Sequence, residues 1–213
     1  MRIDRARDAL VVVDVQHDFL PGGALAVGGG DAVVAPIAAL APAFATVVAT
    51  QDWHPPGHVS FASAHPGRRP YETLALAQGP QELWPDHCVA GSPGAALHPA
   101  QPDAAITLVL RKGTRRDLDS YSAFRENVGP DGRRPSTGLG AWLAARGVAR
   151  VFVCGLARDF CVRATAVDGA AEGFEVLVLD DLTRAVFPDR RAEADALLAR
   201  AGVRLSESTA LER

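Results

Sequence analysis

Apolar and polar positions switch repeatedly between two periods along the chain. Leu10-Val11-Val12-Val13-Asp14-Val15 is a nearly unbroken β-branched run, the pattern of a strand buried on both faces. After the Pro21-Gly22-Gly23 turn and the Gly28-Gly29-Gly30 run, Asp31 is placed to cap a helix. Val33, Val34, Ile37 and Leu40 fall on one face of that helix. Thr46 to Thr50 and Ile106 to Leu110 read as two further buried strands. Thr137 to Arg146 predicts a helix stopped by Gly147. A fourth strand over Val151 to Cys154 leads to a helix from about Asp159 to Glu172, and Glu175 to Leu179 is a fifth strand. A helix from Asp189 to Arg200 ends at Gly202, before a short last strand over Val203 to Leu205. Strands alternating with helices predict an α/β fold of three αβα layers, with a mostly parallel six-stranded sheet and right-handed crossovers. Residues 1–213 read as a single domain.

Residues 51–105 break this rhythm. They hold nine of the fifteen prolines and five of the six histidines, and they show no clear period. A long irregular excursion inside a compact domain is either functional or disordered. Trp53, Phe61, Tyr71, Leu83 and Trp84 give this one anchors for packing, so it reads as an ordered, site-building loop.

Composition narrows the function classes. A formal charge of -3 offers no electrostatic footprint for nucleic acid or an anionic membrane. No apolar run approaches the roughly 18 residues of a membrane helix, and Asp4 and Asp8 argue against a signal peptide. Three cysteines, Cys88, Cys154 and Cys161, form an odd and sparse set that points to a reducing, cytoplasmic setting. Of 22 basic residues, 21 are Arg and one is Lys112. Where a plain positive charge is supplied by Arg throughout, a single Lys hints at a site that needs a compact ammonium.

An open parallel sheet places its ligand beyond the carboxyl ends of its strands. That rule brings Asp14, the Asp52–His54 pair, Lys112 and the Gly155-to-Cys161 segment to one edge. Cys161 falls in the first turn of an expected helix, where free N–H groups and the helix dipole favour a thiolate. Cys154, in mid-strand, reads as a small buried apolar residue. Asp14 beside a thiol and an ammonium becomes a general base with a partner, whereas Asp18 reads as a turn residue. Asp52 and His54 have the i, i+2 spacing that points two side chains to one face of an extended segment. A third ligand from His58 or His87 would complete a site for Zn, Fe or Mn. The Gly28–Gly30 run lacks the spacing of a phosphate-binding loop and reads as a turn.

Several segments together resemble the cysteine hydrolases related to isochorismatase. Val13-Asp14-Val15-Gln16-His17-Asp18-Phe19 is similar to the first signature of that family. Gln51-Asp52-Trp53-His54-Pro55, the stretch from His58 to His65, Trp84-Pro85-Asp86-His87-Cys88, Arg111-Lys112-Gly113 and Asp119-Ser120-Tyr121-Ser122-Ala123-Phe124 resemble its nicotinamidase (pyrazinamidase) branch. Gly155-Leu156-Ala157-Arg158-Asp159-Phe160-Cys161-Val162 completes the set, so the similarity runs in order from about Val11 to Thr183.

The resemblance implies an isochorismatase-like hydrolase fold and an amide hydrolase for nicotinamide, with Asp14, Lys112 and Cys161 as catalytic residues. It implies one divalent ion, zinc ahead of iron or manganese, on Asp52, His54 and His87, with His58 an extra ligand in some relatives. Phe19 and Trp84 are expected to sandwich the substrate ring. The Leu156–Ala157 peptide is expected to be cis, with the N–H groups of Ala157 and Cys161 as an oxyanion hole. A small-molecule substrate is the expected partner, with no nucleic acid or membrane and with room for a homo-oligomer. Two positions depart from the pattern: His17 stands where Asn is usual, and Arg158 where a small or hydroxyl residue is usual. The competing readings are a related cysteine amidohydrolase for another carboxamide or carbamoyl compound, and a non-catalytic binding protein on the same fold.

Overall fold

A computed structural model of the chain describes residues 1–101 and 103–212. Six strands form the main sheet: β1 (Asp8–Val13), β2 (Thr46–Asp52), β5 (Leu108–Lys112), β6 (Arg150–Leu156), β7 (Glu175–Arg184) and β8 (Arg204–Ser206). Their order is β5-β2-β1-β6-β7-β8, and every paired neighbour is parallel. β1 lies centrally and is buried along its whole length, as its unbroken apolar run requires. Alternate residues of β1 feed two cores. Leu10 and Val12 pack with Phe152, Val47, Ile37 and Leu40 on one face, whereas Ala9, Val11 and Val13 join Val153, Leu139, Leu143, Ala166 and Leu198 on the other. Helix α1 (Val34–Leu40) covers the first face, and α2 (Leu139–Ala145), α3 (Arg163–Ala171) and α4 (Arg191–Arg200) cover the second. The expected three-layer α/β fold is therefore present.

The boundaries differ from expectation in four places that matter. Asp31 does not cap a helix: a short turn over Gly30–Val33 precedes α1, and the residue at its cap is Gly29 with φ +68°. The third sheet strand starts at Leu108 and runs on to Lys112. The helix expected from Asp159 is split into a wide π-type turn over Arg158–Val162 and then α3. Within the irregular excursion, an antiparallel hairpin pairs β3 (Thr73–Leu76) with β4 (Gly79–Glu82). Its strands are short and one contains Pro80, so neither shows a usable apolar period.

Gly155 explains how the sheet edge closes. It pairs with Val13 in the β1–β6 ladder, at φ +105°, and an added Cβ would meet Val13 O at 2.1 Å. Only a residue without Cβ allows the two strands to approach so closely, and their next turns deliver Asp14 and the Cys161 segment. No helix among the described residues is long and apolar enough to cross a membrane.

Candidate active site

Four strand ends build the site. Asp14 follows β1 in a left-handed turn with φ +48°, a conformation that Asp tolerates better than most residues. Its Oδ1 accepts from the Thr50 hydroxyl at 2.6 Å, and its backbone N–H donates to Thr50 Oγ1 at 3.1 Å. That fixes one oxygen and leaves Oδ2, buried, facing Lys112 Nζ at 2.8 Å. Lys112, the last residue of β5, also donates to Asp52 Oδ1 at 2.5 Å and to Cys161 Sγ at 3.3 Å. The donor atoms of Asp14, Asp52 and Cys161 all lie within 4.8 Å of one another. Residues far apart in sequence thus surround one ammonium. Burial opposes the charge on Lys112, but the carboxylates of Asp14 and Asp52 outweigh it and hold its pKa well above the ordinary value.

The thiol departs from expectation. Cys161 sits fourth in the wide turn and is not presented by the first turn of α3. Burial pushes its pKa well above the usual thiol value; Lys112 acts in the opposite direction and Asp14 and Asp52 add to the rise. The carboxyl of Asp14 is likewise raised, by burial first, with Lys112 opposing and Asp52 reinforcing. The resting site therefore favours a protonated thiol over the dipole-stabilised thiolate that the pattern implied. Cys161 needs its base at the moment of attack. The other two cysteines are also buried and free, but neither lines the pocket that Cys161 faces.

That pocket is a narrow slot, partly open to solvent. Asp52, His54, His87, Ala157 and Cys161 all line it, and the donor atoms of Asp52 and Cys161 lie within 4.8 Å of one another. Phe19 and Trp84 line it, joined by Leu25, Tyr121, Phe160 and Val186, to which the sequence assigned no role. Phe160 meets Trp84 edge-on with ring centroids 4.8 Å apart. The Trp84 indole N–H donates to the Tyr121 hydroxyl at 3.4 Å. Asp119 also lines the pocket, its carboxylate accepting from Gln81 Nε2 at 2.7 Å and from Ser120 N–H at 2.8 Å. The Gln81 bond ties the β3–β4 hairpin to the site. The Leu156–Ala157 peptide is cis.

The residues suited to a metal are organised for it. Donor atoms of Asp52, His54 and His87 lie within 4.8 Å of one another. His54 Nδ1–H donates to Gly113 O at 3.0 Å, and His87 Nδ1–H donates to Pro85 O at 2.8 Å. Both bonds select the tautomer that leaves the Nε2 lone pair free, the form a metal takes. His54 Nε2 is 3.8 Å from Asp52 Oδ2. Burial pulls both imidazoles down to about 4, His58 contributing for His54 and His54 for His87, so both are neutral near pH 7. Gly113 has φ +63°, and a Cβ there would meet the His54 ring at 2.4 Å. Gln16, missed in the sequence, holds the Asp52 backbone by donating to its carbonyl at 2.9 Å and accepting from its N–H at 2.8 Å.

His58 is placed differently. Its ring stacks on His54 at 4.2 Å, while Nδ1 meets the Ser60 hydroxyl at 2.7 Å and Nε2 the Leu118 carbonyl at 3.2 Å. Both nitrogens are engaged, and donor atoms of His58, His54 and Asp119 form a second cluster within 4.8 Å of one another. Asp18 behaves as a turn residue, accepting from Ala24 N–H at 3.2 Å and Cys88 N–H at 2.7 Å. His17 is exposed. Arg158 does not reach the pocket: its guanidinium is buried behind the turn, 2.6 Å from both Asp180 and Asp195.

A model of the isochorismatase domain matches residues 8–210. The chain belongs to the isochorismatase family. Within that family, it is 47% identical over 187 residues to a nicotinamidase of Acinetobacter baylyi, covering 87% of this chain and 86% of the relative. It superposes on the crystal structure of PnC1 from L. infantum in complex with nicotinate with a TM-score of 0.87, at 42% identity, covering 100% of this chain and 98% of the other. The pyrazinamidase of Pyrococcus horikoshii in complex with zinc gives a TM-score of 0.76 at 34% identity, over 94% of this chain and 99% of that one. Isochorismatase-family chemistry is hydrolytic, and the pocket described above lies within the matched segment.

Proposed function

We propose that this chain hydrolyses nicotinamide to nicotinate and ammonia through a thioester on Cys161. The observation that carries the reading is the meeting of Lys112 Nζ with Cys161 Sγ and Asp14, Cys161 itself lining an aromatic-walled pocket. Asp14 takes the thiol proton as the sulfur attacks the carboxamide carbon. The oxyanion is received by the backbone N–H groups of Ala157 and Cys161, a contribution of roughly 3–4 kcal/mol for each well-placed donor. Asp14 then passes its proton to the amide nitrogen, the C–N bond breaks, and ammonia leaves the thioester. Water, giving a proton to Asp14, attacks the same carbon. The C–S bond breaks, the sulfur recovers its proton from Asp14, and the acid departs as nicotinate once its remaining proton passes to the released ammonia. Lys112 balances the negative charge that moves between Asp14 and Cys161.

Asp52, His54 and His87 would hold one divalent ion. When bound there, the ion supplies a Lewis-acidic point for the pyridine nitrogen, which orients the ring. One carboxylate and two neutral imidazoles suit zinc, with iron and manganese also compatible, and the zinc complex of the Pyrococcus horikoshii pyrazinamidase supports that choice. Phe19 and Trp84 would flank the ring. Residues 1–213 then act as one hydrolase domain, with the excursion over 51–105 as its metal-binding wall. The three unpaired cysteines support a cytoplasmic setting.

The test is ammonia release from nicotinamide and from acetamide, with metal analysis of the same preparation. The expected result is about one divalent ion per chain and a kcat/KM on the order of a thousandfold higher for nicotinamide, because acetamide makes no ring contacts. Equal values for the two amides would contradict the proposal.

A further inference from the structure

Two residues before Cys161, Asp159 has a buried carboxylate that pairs with no Lys, Arg or His among the described residues. Its Oδ1 accepts the Val186 N–H at 2.9 Å, and its Oδ2 accepts the Phe187 N–H at 2.8 Å. Buried polar groups require partners, and a carboxylate alone among side chains of this size offers two acceptor oxygens to two successive amides. The segment so held follows β7, which ends at Arg184. Val186 forms part of the pocket wall. Phe187 backs the other aromatic residues, with centroids 6.3 Å from Trp84 in a stacked arrangement and 6.0 Å from Phe160.

We infer that Asp159 is a positioning and specificity-determining residue: it clamps the Val186–Phe187 segment to the nucleophile's own turn and so sets the width of the slot that receives a flat aromatic ring. The inference rests on the proposed function for the identity of that ring. The clamp joins the two parts of the site that must stay in register, the sulfur that attacks and the wall that aligns the ring. Asparagine keeps the shape of Asp159 but turns an NH₂ group toward one of the two amides, leaving that N–H buried and unpaired.

The experiment compares wild type with Asp159→Asn and with Val186→Ala, which thins the wall without touching the clamp. Three quantities are measured: nicotinamide kinetics, nicotinate affinity by calorimetry, and the rate at which iodoacetamide alkylates Cys161. In Asp159→Asn, KM for nicotinamide is expected to rise about tenfold and nicotinate affinity to fall by a similar factor. Its kcat should stay within roughly threefold, and alkylation by the ringless reagent should be unchanged. Val186→Ala should reproduce the KM rise. A purely structural role would instead lower kcat and alkylation together at constant KM. That pattern, or an unchanged KM and nicotinate affinity in either folded variant, overturns the inference. A wild type that releases no ammonia from nicotinamide defeats the proposed function only; the nicotinate titration still decides the role of Asp159.

Discussion

Lys112 shows how much one side chain is asked to do. It is fully buried, and its ammonium contacts Asp14, Asp52 and Cys161 at 2.8, 2.5 and 3.3 Å. A guanidinium presents the same charge on a broad plane and cannot converge on three atoms at such distances. Lys112→Arg is therefore expected to lower kcat by about a thousandfold, through misplacement of both the base and the nucleophile. Steady-state ammonia release checks this, and a variant retaining half the wild-type kcat would contradict it. The single Lys among Arg residues made this position readable from the sequence. The protonation state of Cys161 was not readable: it follows from burial and from two carboxylates supplied by other strands, which no local pattern around residue 161 encodes.

The turn over Arg158–Val162 is supported from behind as well as from the pocket side. Arg158 donates to Thr183 Oγ1 at 3.0 Å, and pairs with Asp180 on β7 and Asp195 on α4. The departure at position 158 from the family pattern is thus a structural tie between three elements. Removing one member of a buried ion cluster leaves the others without a counter-charge, at roughly 3–5 kcal/mol for a fully buried pair. Asp180 and Asp195 keep some contact with water, so Arg158→Met is expected to cost about 2–3 kcal/mol. Chemical denaturation measures it, and an unchanged midpoint would refute the tie. The partners of Arg158 lie up to 37 positions away, which is why its direction could not be read from its neighbours. The same reason hid Gln16, Phe160 and Val186. The β3–β4 hairpin escaped because each of its strands is only four residues long, too short for a period to be read.

For the whole molecule, a single topological rule carried the reading. Parallel strands with buried faces were legible as apolar runs, and all of them end on one side. The rule therefore brings Asp14, Asp52, His54, Lys112 and the Gly155-to-Cys161 segment to one edge from the sequence alone. What the rule does not supply is the lining between those ends. Leu25, Tyr121, Phe160 and Val186 come from four separate segments, and their convergence depends on loop paths. Lys112 and the imidazole cluster share Asp52, whose Oδ1 meets Lys112 while its Oδ2 faces His54.

The most direct test of this account is ammonia release from nicotinamide by Cys161→Ala, with metal content measured on the same sample. The account predicts no detectable turnover and an unchanged metal stoichiometry, because the substitution removes the sulfur and leaves Asp52, His54 and His87 intact. Turnover at the wild-type rate in that variant would contradict it.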